Sequence, residues 1–265
     1  MKEKNFIDEF TWSSMISICG VNRSLKMLKS IHQEILETGQ TLTNSLITSL
    51  ISAYSSCREF DEAIQMFKQL TSPDLISCNA MLSVYAQEKG HFEEALKLLH
   101  YMKESKFKLD EYTWSSIISV CGVNGKSEYL DSFYQEIKES GQITEILLNG
   151  LITSYTKCGK IEKSIEIFNS LPNNTCNPMT LNAMLCAYAQ NEGYFEKAIE
   201  LFQTMKEKKI NLDSYTWSSM ISICGMNRKL VYLERIHQEI LERDQNISEV
   251  LLNGLITSYA KCGKI

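Results

Sequence analysis

The chain contains few of the residues that form linkers, and it lacks long apolar runs. Only 3 of its 265 residues are proline and 12 are glycine, which leaves little sequence for flexible connections between domains. The two long stretches without charge, 38–57 and 169–191, are interrupted by polar residues or proline, so we expect neither to cross a membrane. A folded chain with no membrane partner is therefore predicted.

The residue clusters of common catalytic and metal sites are also missing from the sequence. The 9 cysteines include no CxxC pair, and their odd number indicates reduced thiols rather than a disulfide framework. There are only 4 histidines, and no phosphate-binding glycine loop or nucleophile elbow is present. We expect no catalytic residues, no metal, no cofactor and no small-molecule substrate.

A long internal repeat is the main feature that is present. The segment TWSS recurs at Thr11, Thr113 and Thr216, a period of about 102 residues, and other segments recur between these points. Each period divides into three units of about 31 to 36 residues. The predicted units are a fragment at 1–8, then 9–43, 44–74, 75–110, 111–144, 145–177, 178–213, 214–248 and a partial unit at 249–265.

Each unit is predicted to be a helical hairpin with an uncharged first helix and a charged second helix. In two second helices an apolar stripe recurs at i, i+3, i+4 and i+7, formed by Ala95, Leu98, Leu99 and Met102 and again by Ala198, Leu201, Phe202 and Met205. One hairpin cannot bury both of its apolar faces, so neighbouring hairpins must stack. The predicted fold class is an all-α, right-handed α-solenoid of stacked helix-turn-helix repeats.

Three unit types rotate in order, with sequences such as TWSSIISVCG, LLNGLITSYTKCGKIEKSIEIFNSLP and LNAMLCAYAQNEGYFEKAIELFQTMKEKKINLD. In type, order and length they resemble the L, S and P motifs of PLS-type pentatricopeptide repeat proteins. Units 9–43, 111–144 and 214–248 resemble L motifs, and 44–74, 145–177 and 249–265 resemble S motifs. The fragment 1–8 and the units 75–110 and 178–213 resemble P motifs.

This resemblance implies sequence-specific binding of single-stranded RNA, with one base per repeat chosen by the fifth and last residues of each unit. Asn79 with Asp110 and Asn182 with Asp213 would each prefer uracil, Thr48 with Asp74 guanine, and Asn149 with Asn177 cytosine or uracil. The pairs in the L-type units do not match the residue combinations to which the family's code assigns a base, so no base is assigned to them. These pairs are Ser13 with Thr43, Ser115 with Thr144 and Ser218 with Ser248. Asn253 is the fifth residue of the partial unit.

The second residue is apolar or aromatic in seven units, and the resemblance implies that these side chains sandwich the bases. They are Phe10, Ile76, Tyr112, Ile146, Met179, Tyr215 and Val250. Stacking of a base on an aromatic side chain contributes about 1–3 kcal/mol. The first helices are expected to carry almost no acidic residues, so the groove that they line should be neutral. Four basic residues near the ends of first helices could contact RNA phosphates: Lys157, Lys261, Arg23 and Arg228.

Several observations favour other interpretations. The net charge of −5 gives no general attraction to phosphate, and it favours a protein-binding helical-repeat scaffold as the alternative function. Asn side chains can satisfy neighbouring helices, and Asp110 and Asp213 precede first helices, where Asp is a good cap. The cysteines that share repeat positions are expected to be small core residues.

The segments His32-Gln33-Glu34 and His237-Gln238-Glu239 match the H-x-E fragment of nucleobase deaminases, but no P-C-x-x-C partner is present, so both histidines are expected to pack in the structure. The resemblance implies a role in organellar RNA editing or processing, in a mitochondrion or plastid, with an editing deaminase or another protein acting in trans. The segment from Met1 copies internal repeat segments, so no targeting peptide is expected in this chain.

Overall fold

The computed structural model describes residues 7–39, 41–171, 178–243 and 247–264, and every regular element in these ranges is an α-helix. The helices are α1 (Glu9–Val21), α2 (Leu25–Glu37), α3 (Asn44–Ser56), α4 (Phe60–Lys68), α5 (Leu75–Tyr85), α6 (Phe92–Glu104), α7 (Glu111–Asn124), α8 (Ser127–Glu139), α9 (Glu145–Lys157), α10 (Ile161–Asn169), α11 (Pro178–Ala189), α12 (Phe195–Glu207), α13 (Ser214–Met226), α14 (Leu230–Arg243) and α15 (Glu249–Lys261).

The helices form two compact units that divide after Asn124. In the first unit, α1, α3, α5 and α7 contact one another in succession, and α2, α4 and α6 each pack between the first helix of their own hairpin and the next one. In the second unit, α9, α11, α13 and α15 form the same succession, with α10, α12 and α14 packed in the same way. Each unit is a stack of helical hairpins, which confirms the predicted α-solenoid class.

The second helices bury the apolar stripe that the sequence predicts. In α6 and α12 all eight stripe residues are buried, and the polar residues between them face solvent. The two second helices α4 and α10 have only 9 residues each, whereas α6 and α12 have 13. The shorter second helix accounts for the smaller length of the predicted units 44–74 and 145–177. The boundaries between repeats remain a prediction.

Glycine allows the first helices of neighbouring repeats to approach closely at two places. A Cβ added to Gly20 of α1 would lie 3.1 Å from the Cα of Ala53 in α3. A Cβ added to Gly225 of α13 would lie only 2.8 Å from the Cα and 2.6 Å from the Cβ of Ser258 in α15. Since the second position leaves no room for any side chain, Gly225 is required by the close approach of two backbones.

We expect Gly225→Ala to destabilise the second unit by about 1–3 kcal/mol, because α15 must move away from α13 to admit the methyl group. Urea denaturation followed by circular dichroism measures the loss. Gly254→Ala is the matched control, since its Cβ would meet only the Cγ2 of Ile221 at 3.6 Å, an ordinary contact. That variant should lose no stability, and equal losses from the two substitutions would contradict a rigid close approach at Gly225.

Candidate nucleic-acid interface

The last residue of each predicted repeat caps the first helix of the next repeat. In the described part of the chain these residues are Thr43, Asp74, Asp110, Thr144, Asp213 and Ser248. Each side-chain oxygen accepts a hydrogen bond from the backbone N–H three residues later, at distances from 2.8 Å at Asp74 to 3.5 Å at Ser248. The bond from the backbone N–H of Ser77 holds the pKa of Asp74 below its usual value. Asn177 lies outside the described residues.

The predicted fifth residues all lie on first helices. They are Ser13, Thr48, Asn79, Ser115, Asn149, Asn182, Ser218 and Asn253. Asn149 is buried, Asn253 is exposed, and the other six are partly exposed. Except for Thr48, each stands three residues after a predicted stacking residue, so the two share one face of the helix.

The structure brings Asn79 together with its predicted partner Asp110. The amide Nδ2 of Asn79 donates to the two carboxylate oxygens of Asp110 at 3.1 and 3.3 Å. The hydroxyl of Thr113, the third residue of the following unit, lies 2.7 Å from the Oδ1 of Asn79 and 2.9 Å from a carboxylate oxygen of Asp110, and the shorter contact assigns its one proton to Asn79. The backbone N–H of Thr113 also donates to the carboxylate of Asp110 at 2.9 Å, so the three side chains form one closed network.

The same network recurs one period later at Asn182. Its Nδ2 lies 3.4 and 3.3 Å from the carboxylate oxygens of Asp213, and the hydroxyl of Thr216 donates to its Oδ1 at 2.8 Å. Neither threonine was among the functional residues predicted from the sequence. Both threonines are the first residue of the recurring TWSS segment, so the sequence does show that they recur. That recurrence was used only to measure the repeat period.

The other predicted pairs are arranged differently. Thr48 donates from its hydroxyl to the backbone carbonyl of Asn44 at 2.7 Å, while the carboxylate of Asp74 is engaged by Ser77 at 2.8 Å. The hydroxyl of Thr43 donates to the carboxylate of Glu9 at 2.6 Å. Both amide atoms of Asn149 are buried without a hydrogen-bond partner among the described residues. Only the two Asn and Asp pairs are therefore joined by hydrogen bonds within the described ranges.

The predicted stacking residues are exposed although they are apolar and lie on helices that are otherwise well buried. Their exposed fractions range from 51% at Ile146 to 80% at Phe10, and the other members are Ile76, Tyr112, Met179, Tyr215 and Val250. The unit 44–74 differs, because its second residue is the exposed Ser45. In the seven other units an apolar side chain is thus presented to solvent beside the fifth residue.

The expectation of first helices almost free of acid is wrong at one end of the helices. Four of them begin with glutamate, namely Glu9, Glu111, Glu145 and Glu249. Acidic side chains are stabilising there because the positive end of the helix dipole lies at the N-terminus. Each of these four first helices therefore carries an acidic side chain directly before its predicted stacking residue.

The basic residues that were predicted to meet phosphates lie at the other ends of the first helices. Lys157 and Lys261 are the last residues of α9 and α15, and Arg23 and Arg228 follow α1 and α13. All four are exposed. Arg23 and Arg228 have φ angles of 49° and 51°, in the left-handed turn that ends each helix. Each first helix with one of these residues thus carries positive charge near its C-terminus.

The histidines and cysteines have structural surroundings. His32 and His237 lie 2.8 and 3.0 Å from the hydroxyls of Tyr54 and Tyr259 on the neighbouring first helix, and burial lowers the pKa of His32. Three cysteines at one repeat position, Cys19, Cys121 and Cys224, are buried, while Cys158 and Cys262 are partly buried. No group of three or more possible metal ligands occurs within the described ranges. Among these helices, none has the length and apolar character of a membrane span.

The succession of first and second helices in both units defines a helical-repeat protein. A model of the PPR repeat matches residues 10–39, 46–72, 112–142, 146–176 and 215–244, and a PPR repeat family model matches 73–123 and 177–225. These matches cover most of the chain. The chain belongs to the pentatricopeptide repeat family.

Relatives and solved structures agree with this assignment. Two pentatricopeptide repeat-containing proteins of Arabidopsis thaliana, one of them described as putative, are each 28% identical over 82% and 91% of this chain, which spans 31% and 33% of their lengths. The maize pentatricopeptide repeat protein PPR10 superposes with a TM-score of 0.81 at 22% identity, over 97% of this chain and 37% of PPR10. PPR10 in complex with an 18-nucleotide psaJ RNA element matches with a TM-score of 0.79. This chain spans about a third of the length of the relatives it matches.

Proposed function

We propose that this chain binds single-stranded RNA sequence-specifically, with one nucleotide per repeat lying along the first helices. The observation that carries the proposal is the repeated pairing of one exposed apolar side chain with one polar side chain three residues later. A base needs both a surface on which to stack and hydrogen-bonding groups at its edge, and every unit except 44–74 offers the two side by side. Family membership and the RNA bound by PPR10 support the same ligand.

The proposed site consists of the base-reading and stacking residues named above, including Asn177. The target has the form x-G-U-x-Y-U-x from 5′ to 3′, in which the two uracils face Asn79 and Asn182. The hydrogen-bonded Asn and Asp pairs support the two uracil assignments, because they present an amide with a fixed order of donor and acceptor. The guanine assignment at Thr48 rests on the family resemblance alone.

We further propose that the chain is PLS-type, that it has no catalysis of its own, and that it acts in organellar RNA editing or processing. Three relatives carry the word mitochondrial in their names, which supports an organelle as the location and a mitochondrion over a plastid. An editing deaminase or another protein would act in trans.

A binding titration at controlled salt tests the proposal, with single-stranded RNAs that contain GU-x-Y-U and with scrambled controls. We expect tighter binding of the intact site, and we expect Asn79→Ser and Asn182→Ser each to relax the preference only at its own uracil, by about 1–3 kcal/mol of discrimination. Each variant serves as the position control for the other. Absence of binding to any RNA at low salt would refute the proposal and favour the protein-binding scaffold that the net charge of −5 suggests.

A further inference from the structure

The two asparagines that we assign to uracil are held from two sides, and only one of these contacts belongs to the assigned pair. The carboxylate of Asp110 engages the Nδ2 of Asn79, while the hydroxyl of Thr113 engages the Oδ1. Asp213 and Thr216 engage Asn182 in the same way. Thr113 and Thr216 have no exposed surface, so each hydroxyl is committed to groups of the protein.

The two contacts have different chemical roles. An ionised carboxylate only accepts hydrogen bonds, so it selects the Nδ2 of the amide, whereas a hydroxyl can also donate and so satisfies the Oδ1. The carboxylate contact alone already disfavours the flipped amide, because a flip would place the Oδ1 against the carboxylate oxygens, and the hydroxyl contact adds to this preference. With both contacts its plane and the order of its donor and acceptor are fixed, and one N–H and one oxygen lone pair remain for a base.

A fixed amide distinguishes uracil from cytosine. Uracil presents the N3–H donor beside a carbonyl oxygen, which matches the free Oδ1 lone pair and the free Nδ2–H of the asparagine. Cytosine in the same place presents its N3 acceptor to the Oδ1 and its amino group to the Nδ2, so that like groups face each other. An amide that can rotate accepts cytosine by exchanging its two ends.

We propose, on the basis of the proposed function above, that Thr113 and Thr216 are positioning residues that determine uracil specificity in the repeat before their own. The hydroxyl at the third position of one repeat holds the base-reading asparagine of the preceding repeat in the orientation that rejects cytosine. Specificity at these two sites is thus a property of three residues, the third of which is contributed from the next first helix.

The other repeats differ from these two. After Asn149 the equivalent residue is the buried Thr180, but the amide of Asn149 has no hydrogen-bond partner among the described residues, so a hydroxyl at the third position does not by itself make the network. In the repeats that follow Ser13 and Ser218, the third residue is a leucine, Leu46 and Leu251 respectively. A leucine side chain forms no hydrogen bonds. These L-type units, to which no base is assigned, therefore lack the positioning hydroxyl.

After Thr48 the equivalent residue is Ser77, whose hydroxyl contacts Asp74 as Thr113 contacts Asp110, but Thr48 donates to the backbone of its own helix rather than bonding to Ser77. The described hydrogen bonds hold an asparagine from both sides only at Asn79 and Asn182.

Thr216→Val and Thr113→Val test the proposal, because valine keeps the shape and removes only the hydroxyl. Binding is measured with RNAs that carry U or C at the position facing Asn182 or Asn79. Each variant should lower the ratio of uracil to cytosine affinity at its own position about three- to tenfold, the effect of one net hydrogen bond, and leave the other position unchanged. Thr216→Ser, which keeps the hydroxyl, should retain the wild-type ratio.

Thr11→Val is the matched control. Thr11 donates its backbone N–H to Asp8 at 2.8 Å in the same capping geometry, but it has no counterpart of Asn79 within this chain, so its substitution should leave both ratios unchanged. Thr216→Ala removes the hydroxyl without the bulk of valine and replaces Thr216→Val if that chain does not fold. Unchanged ratios in the hydroxyl-free variants would overturn the inference alone, whereas a wild-type chain without uracil preference would overturn the proposed function itself.

Discussion

Replacement of Tyr215 by alanine is expected to weaken RNA binding by about 1–3 kcal/mol, a five- to 150-fold rise in Kd, without destabilising the protein. The side chain is 78% exposed at the second position of its unit, so its removal leaves no cavity. An exposed aromatic ring that contributes little to the fold is free to stack on a base. The loss should be similar for every base, because stacking depends on the π face rather than on the hydrogen-bonding edge.

Two variants make this prediction specific. Tyr215→Phe keeps the ring and should retain wild-type affinity, which separates stacking from any role of the hydroxyl. Tyr112→Ala removes the equivalent ring, which is 74% exposed, and should weaken binding to a similar extent. The change in unfolding free energy should stay within about 0.5 kcal/mol for each surface substitution. Wild-type affinity in both alanine variants would place the RNA away from this face.

Much of the fold could be predicted from the sequence because its determinants are periodic. The stripe at Ala95, Leu98, Leu99 and Met102 has the spacing of one helix face, and the structure buries it as a whole. The buried face of the first helices could not be predicted in this way, since apolar residues occur all around these helices. Phe10 and Trp12 are both aromatic and stand two residues apart, yet Phe10 is 80% exposed and Trp12 is fully buried. Their different positions follow from the stacking of neighbouring hairpins, which no local pattern encodes.

The candidate site could be predicted only as far as the repeat register places residues on first helices. The contribution of Thr113 depends on a contact with Asn79 of the preceding repeat, 34 positions earlier in the chain. Composition and spacing within one unit contain no information on that contact. The acidic N-termini of the first helices were missed for a different reason: the first helices were recognised by uncharged segments such as TWSSIISVCG, whereas the structure begins α1 and α7 at Glu9 and Glu111.

Replacement of Trp217 by alanine is expected to have the opposite effect to replacement of Tyr215, although the two residues are neighbours on α13. Trp217 is 6% exposed, its ring packs edge-to-face on Phe202 of α12 at 5.5 Å, and the Arg243 guanidinium lies 5.4 Å from the ring centroid. Truncation of a buried tryptophan costs about 3–5 kcal/mol, because apolar contacts are lost and a cavity remains. Urea denaturation should show this loss in unfolding free energy.

The solenoid architecture also predicts where the loss appears. A stack of hairpins is stabilised by contacts between neighbours, so the damage from Trp217→Ala should be greatest in α12, α13 and α14 and should decrease with distance. Amide hydrogen exchange measures this distribution. Trp217→Phe keeps an aromatic edge against Phe202 and should recover part of the stability. A loss below about 1 kcal/mol for Trp217→Ala would mean that α12 and α14 close over the vacated space, and that Trp217 does not organise this part of the stack.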